Sequence, residues 1–184
     1  MSHPALGQLD IELRECLWRR LDMGGQPQHH AFARVGEETR VARVIGRRDG
    51  TTVEAGMEQL RLLRAGTDGA PPFSTDVTAR WRYARPDVSF GLAAQGVRHI
   101  LLETFVEHPV DDPSALLQAM ADAVLQSLDD VAEITVRLQL RPHGLVDLSA
   151  MGLTNEQGIF APHAGPTEEV QATHVRPLDA DEED

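Results

Sequence analysis

Lysine is absent from the 184-residue chain: all 17 basic residues are arginine. Chemistry that needs a lysine general base or a lysine Schiff base is therefore excluded within this polypeptide. Cysteine is nearly as scarce. Cys16 stands alone, which rules out an internal disulfide framework and fits a reducing compartment, so a cytoplasmic location is expected. Aromatic residues make up 4% of the chain against 41% hydrophobic residues, so aliphatic side chains must do most of the packing. Positive charge is also in deficit. A net charge of −12 argues against nucleic-acid phosphates or an anionic membrane as partners. No apolar run is long enough to span a bilayer, and the N-terminus lacks a signal-peptide core. His29-His30 has no spaced carboxylate–histidine set around it; it reads as a strand-surface pair, and no metal is expected.

What is present reads as one domain over residues 9–177, with a flexible leader (1–8) and an acidic, disordered tail (178–184). The best-marked stretch runs from Leu102 to Phe160. Within it Leu116, Leu117, Met120, Val124 and Leu128 recur at helical spacing, with Asp112 as N-cap and Pro113 at the first helical position. Asp129-Asp130 marks a break. Ile134, Val136, Leu138 and Leu140 then alternate with polar residues, the pattern of a half-buried strand, followed by a short Leu145–Leu148 run and a turn at Met151-Gly152. A helix feeding an alternating strand predicts an α+β fold.

Upstream, alternation predicts a strand from Leu9 to Leu21, a turn at Asp22-Met23-Gly24-Gly25 and a strand from about His30 to Val35. Gly36-Glu37-Glu38 reads as a turn; Val41 to Ile45 and Val53 to Arg64 carry further strand, with Asp49-Gly50 between them. A Gly/Pro-rich connection over residues 66–72 leads to a strand over Thr75–Tyr83, and Thr167–Arg176 is a final strand. Residues 88–106 are ambiguous. Leu92, Gln95, His99, Leu102 and Val106 can share a helical face, yet HILLETFV is equally strand-like.

Several stretches together resemble the C-terminal half of uricase (urate oxidase). WRRLDMGGQPQHHAF (Trp18–Phe32) is similar to that family's hairpin, TDVTARWRY to the strand entering its helical pair, and ETFVEH to its Thr-Phe-Ala segment. LVDLSAMGLTNEQGIFAP and VQATHVR resemble its later stretches, in order, so that the likeness runs from about Leu13 to Arg176. The resemblance implies a tunnelling fold (T-fold): an antiparallel sheet in β-β-α-α-β-β order, extra hairpin strands, and two helices packed on one face. It also implies helix for most of residues 88–108, a cofactor-free reaction, and a homo-oligomer joined through sheet edges.

The site that the resemblance implies is largely missing. The family's Lys–Thr base belongs to a first domain for which this chain has no room, and no lysine is present to replace it. The segment that carries the family's stacking Phe and gripping Arg is shortened to Ala65–Phe73, so those positions fall near Ala70 and Pro71. The Val-Gln that reads the purine edge falls on Pro113 and Ser114; proline has no amide hydrogen, and serine is too short to mimic glutamine. The Pro-Asn-Lys-His segment falls on Arg141-Pro142-His143, without the Asn.

Each remaining candidate has a functional and a structural reading. His143 is the candidate catalytic residue, as a proton-relay relic, or else a solvent-facing loop histidine. Phe73 is a substitute stacking platform, or else caps the core. Pro113 and Ser114 are candidate ligand-binding positions, or else the first turn of a helix, where Ser114 saturates a backbone amide. Glu107, Asp111 and Asp112 nearby would repel an anionic urate. Asn155 and Gln157 read as turn residues, and Trp18 and Trp81 as strand packing. Three functions follow as expectations: a non-catalytic or altered uricase-like subunit; an active urate oxidase completed by a separate lysine-bearing T-fold chain; or an enzyme or binder of another purine- or pterin-like ring.

Overall fold

The computed structural model describes residues 8–21, 31–47, 50–66, 69–108, 112–156, 158–163 and 168–177. Four strands come first: β1 (Gln8–Leu21), β2 (Ala31–Arg47), β3 (Gly50–Arg64) and β4 (Phe73–Tyr83). Helices α1 (Phe90–Glu107) and α2 (Pro113–Ser127) follow, then β5 (Val131–Leu140). A small hairpin of β6 (His143–Leu145) and β7 (Phe160–Pro162) precedes β8 (Glu169–Val175). Six strands form one antiparallel sheet in the order β1-β2-β3-β4-β5-β8. The expected β-β-α-α-β-β core is thus β3, β4, α1, α2, β5 and β8, and the extra hairpin strands widen that sheet. The expected leader, the Asp22–Gly25 turn, His29-His30, Gln157 and the acidic tail lie outside the described residues, although Gln8 already belongs to β1.

Alternation places one set of side chains on the helix side of the sheet. Val53, Ala55 and Met57 of β3, Val77, Ala79 and Trp81 of β4, and Ile134, Val136 and Leu138 of β5 are buried there. From above, α1 contributes Val97, Leu101 and Phe105, four residues apart. Of the residues expected to share one helical face, Leu92, Gln95, His99 and Val106 are exposed and Leu102 is half-buried. The sequence pattern at this helix was weak because both faces carry apolar residues. In α2 the expected Leu116, Leu117, Met120 and Val124 are buried, with Ala121 and Leu125 added, while Leu128 is the half-buried C-cap residue. Trp81 is core packing, 2% exposed.

The register is irregular at one place in β3 and one in β2. Gln59 adopts φ 59° at the bulge where the β3–β4 register shifts between Met57 and Leu60. Inward residues are odd-numbered before this bulge and even-numbered after it, so Leu60, Leu62 and Arg64 all face the helices. The turn expected at Gly36-Glu37-Glu38 is absent: β2 runs straight through. The register passes from Cys16↔Thr39 to Trp18↔Arg34, so the surplus residues are taken up as a bulge. Glu38 at its end is buried and receives Arg98 of α1 through two bonds, Nε to Oε1 at 3.0 Å and Nη2 to Oε2 at 3.1 Å. A buried carboxylate held in this way anchors the bulge instead of turning the chain.

The Asp112 carboxylate accepts the amides of Ser114 (2.9 Å) and Ala115 (3.2 Å), with Pro113 at the first helical position. The cap is Asp112 alone, and Ser114 is its donor. Asp112→Ala is expected to lower stability by about 1 kcal/mol in urea unfolding, with an unchanged slope.

Candidate functional site

Phe73 and His143 lie toward one end of the sheet, where β3 ends, β4 begins and β5 ends. Cross-strand register pairs Arg64 with Phe73 and Thr75 with Leu140, and the Arg141 amide donates to the Ser74 carbonyl at 2.8 Å. The C-terminus of α1 meets the same end, because Arg64 Nη1 donates to the His108 carbonyl at 2.8 Å.

Phe73 is half-buried, with its ring tilted at 35° against Phe105 of α1, centroids 6.1 Å apart. The Arg64 guanidinium lies over the Phe105 ring, 5.1 Å from its centroid. Arg64 Nη2 is buried without a hydrogen-bond partner among the described residues. Phe73 is one of the partly buried side chains packed against the core. Pro113 is half-buried at the start of α2, and Ser114 beside it is exposed. The amides that a helix N-terminus would offer an anion are occupied there by Asp112, whose own charge adds to the repulsion.

His143 opens β6, where it pairs with Pro162. Its Nδ1 lies 3.0 Å from the Arg141 carbonyl, a geometry in which the ring nitrogen donates and the tautomer is set. Among the described residues, no hydrogen bond, ion pair or ring contact joins Phe73, Pro113, Ser114 and His143 to one another. Asn155 acts as a loop clamp: its Nδ2 donates to the carbonyls of Val146 and Ile159, and its Oδ1 accepts the Ile159 amide.

Sequence reasoning missed two residues at this end. Arg64 had a readable signal, since a cation follows Leu60 and Leu62 at an inward-facing strand position. Asp76 had none, because its partners are remote in sequence. It accepts Arg61 Nε at 2.9 Å and Arg141 Nε at 2.6 Å. Burial alone would raise the Asp76 carboxyl; the two guanidinium hydrogen bonds outweigh it and hold the group below the usual aspartate range.

The far side of the sheet is a lattice of such pairs. Arg43 meets Asp10 (Nε to Oδ1, 2.9 Å), Arg80 meets Glu58 (2.7 Å) and Arg82 meets Glu133 (3.1 Å). A depression of about 320 Å³ on this side is lined by Arg43, Glu54, Arg80, Arg82, Glu133 and Thr135. Its arginines are already engaged by carboxylates, so no cation there stands ready for an anionic ligand. Among the described residues no group of three or more His, Cys, Asp or Glu could hold a metal ion, and no helix is long and apolar enough to cross a membrane.

An antiparallel sheet with two helices on one face, in this strand order, is a T-fold. A uricase family model matches residues 65–171, more than half of the chain, and the chain belongs to the uricase family. It is 28% identical over 179 residues to uricase of Arthrobacter globiformis, covering 89% of this chain and 58% of that protein. Against uricase of Danio rerio the identity is 24%, over 92% of this chain and 64% of the relative. The crystal structure of the Arthrobacter globiformis uricase superposes with a TM-score of 0.77 at 26% identity, covering 97% of this chain and 66% of that one. Urate oxidase from Bacillus subtilis 168 shares the fold, with a TM-score of 0.70 at 13% identity. The chain thus spans only 58–65% of the length of the curated relatives it matches.

Because Asp76 is lowered when folded, its contribution to stability is present above the ordinary carboxylate range and is lost as pH falls through the lowered value. Asp76→Asn is expected to lower the urea midpoint at neutral pH. The gap to the unaltered chain should then close as the pH is taken below 3.8, the reference value for aspartate; a gap independent of pH would sink this account.

Proposed function

We propose that this chain is a uricase-family subunit that does not oxidise urate on its own and serves as a structural or ligand-binding member of an oligomer built through sheet edges. The observation that carries the reading is the complete absence of lysine, which leaves the family's Lys–Thr base without its proton acceptor. The shortened Ala65–Phe73 segment, the Pro113-Ser114 pair in place of Val-Gln, and the engagement of Phe73 by Phe105 support it. A purine-like molecule is the ligand class to try first. Neither nucleic acid nor a membrane is a partner in this reading, no cofactor is called for, and the setting is the cytoplasm.

A second reading has an observation of its own. On the helix side of β1, Leu9, Ile11 and Leu13 are 56%, 48% and 67% exposed, and beyond them on the same face Glu15 pairs with Arg40 of β2. A separate lysine-bearing T-fold chain seated there would complete an active urate oxidase. The two readings part in one assay. The purified chain in aerated buffer should leave the ultraviolet absorbance of urate unchanged relative to a protein-free control. Loss of absorbance by the chain alone would overturn the first reading and require a base other than lysine.

A further inference from the structure

Alternation turns Val170, Ala172 and His174 of β8 toward the helices, while Thr173 faces the other way, its hydroxyl 2.7 Å from that of Thr135. Two apolar residues are thus followed by an imidazole, at a position whose strand neighbour, Ile134, is fully buried. The core has no use for that ring. It meets Asp122 of α2 instead, with His174 Nδ1 2.8 Å from Asp122 Oδ1. An ionised carboxylate can only accept, so Nδ1 is the donor, and in the neutral ring Nε2 is left as an acceptor. Among the described residues Nε2 has no hydrogen-bond partner.

The pair stands on the wall of a cavity of about 490 Å³ between α2 and the end of β8, lined also by Leu125, Gln126, Arg176 and Pro177. This is the volume of a small-molecule site. It lies at the other end of β5 from Phe73 and His143, because His174 pairs with Ile134 near the start of that strand. Gln126 follows Asp122 by one helical turn, so the two share a face of α2, and the Gln126 amide brings a donor to the cavity that holds Nε2. Arg176 brings charge but no free grip. Its guanidinium donates to the carbonyls of Leu125, Leu128 and Val131, and Asp129 lies 3.5 Å from Nη1. With one carboxylate and one committed guanidinium on its wall, the cavity favours neither sign of charge. An acceptor and an amide donor above the apolar Leu125 and Pro177 match the cis-amide edge of a small neutral ring. Its N–H donates to Nε2, and its carbonyl accepts from the Gln126 amide.

We propose that the cavity between α2 and β8 is a binding site for a small neutral cyclic amide or ureide, held by His174 Nε2 as acceptor and Gln126 as donor. Asp122 is a positioning residue: it fixes the tautomer and the direction of the imidazole. The site uses none of Phe73, Pro113, Ser114 and His143, so it stands whether or not urate is oxidised and whichever oligomer forms. An anionic ring finds no free cation here.

The test uses the full chain with hydantoin, a five-membered ring ureide, as probe. Its control is 1,3-dimethylhydantoin, which keeps the ring and both carbonyls but has no N–H. In nuclear magnetic resonance titrations, hydantoin should move the His174 ring and Gln126 side-chain signals saturably in the millimolar range, and the dimethyl compound should not. His174→Phe should weaken hydantoin at least tenfold. Gln126→Ala, at an exposed position, should weaken it severalfold with the helical circular dichroism unchanged, which keeps the test decisive if His174→Phe fails to fold. Asp122→Asn should change the imidazole nitrogen shifts, which report the tautomer, and weaken hydantoin with them. No saturable shift at tens of millimolar hydantoin would overturn the proposal, and so would equal binding of the two hydantoins or binding indifferent to Gln126→Ala. Tighter binding of urate at the same signals would overturn it too, by showing that the cavity prefers an anion. Urate absorbance, followed separately, reports on the catalytic readings and leaves this result standing either way.

Discussion

Two helices cover about four strands, because a helix is about 10 Å across and strands lie about 4.8 Å apart. That constraint organises this molecule. Val97, Leu101 and Phe105 of α1 and the Leu116–Leu125 face of α2 close over the inward residues of β3, β4 and β5. Where the helices lie, a strand residue such as Val77, Val136 or Leu138 is fully buried. Where they end, residues of the same face and same chemistry stand in water. The candidate site and the exposed side of β1 are both boundary features of one helix layer: Phe73 and Arg64 mark its limit at an end of the strands, Leu13 its limit across them.

With arginine as the only long cation, the far face takes a distinct character. Guanidinium groups offer several donors in a fixed plane and stay charged, so each can engage a carboxylate across strands. Asp76 shows the result, held between Arg61 of β3 and Arg141 beyond β5. Such a lattice ties adjacent strands in register and leaves few free charges. It also cannot supply a neutral amine, so the absence of lysine shapes the scaffold and the chemistry together.

The fold was legible because it is written in local periodicity. The run Ile134–Leu140, the Asp112-Pro113 cap and the α2 stripe each carry their own signal, and each is found as read. Longer-range facts were not. Gly36-Glu37-Glu38 has turn chemistry, yet an ion pair from Glu38 to Arg98, sixty residues away, makes it a bulge. Residues 88–106 carry apolar side chains on both faces, so their period does not reveal which side is buried. At the candidate site the positions of Phe73, Pro113 and Ser114 came from resemblance, while Arg64 and Asp76 emerged only from strand pairing. Pairing distant segments is what a single sequence withholds.

A partner chain seated on β1 must also overcome the cost of association. Fully burying one large aliphatic side chain contributes about 1.5–3 kcal/mol. Leu9, Ile11 and Leu13 are roughly half to two-thirds exposed, so covering them returns about 3–5 kcal/mol in all. Bringing two chains together costs about 4–15 kcal/mol before any contact is counted. A helix laid on these side chains alone would therefore bind weakly at best. The free edge of β1 changes the balance, because each backbone hydrogen bond added along a strand contributes about 1 kcal/mol net and also fixes the partner's direction. Neither feature suffices alone, and they lie side by side on one strand: a partner that uses the edge is already placed to cover those side chains.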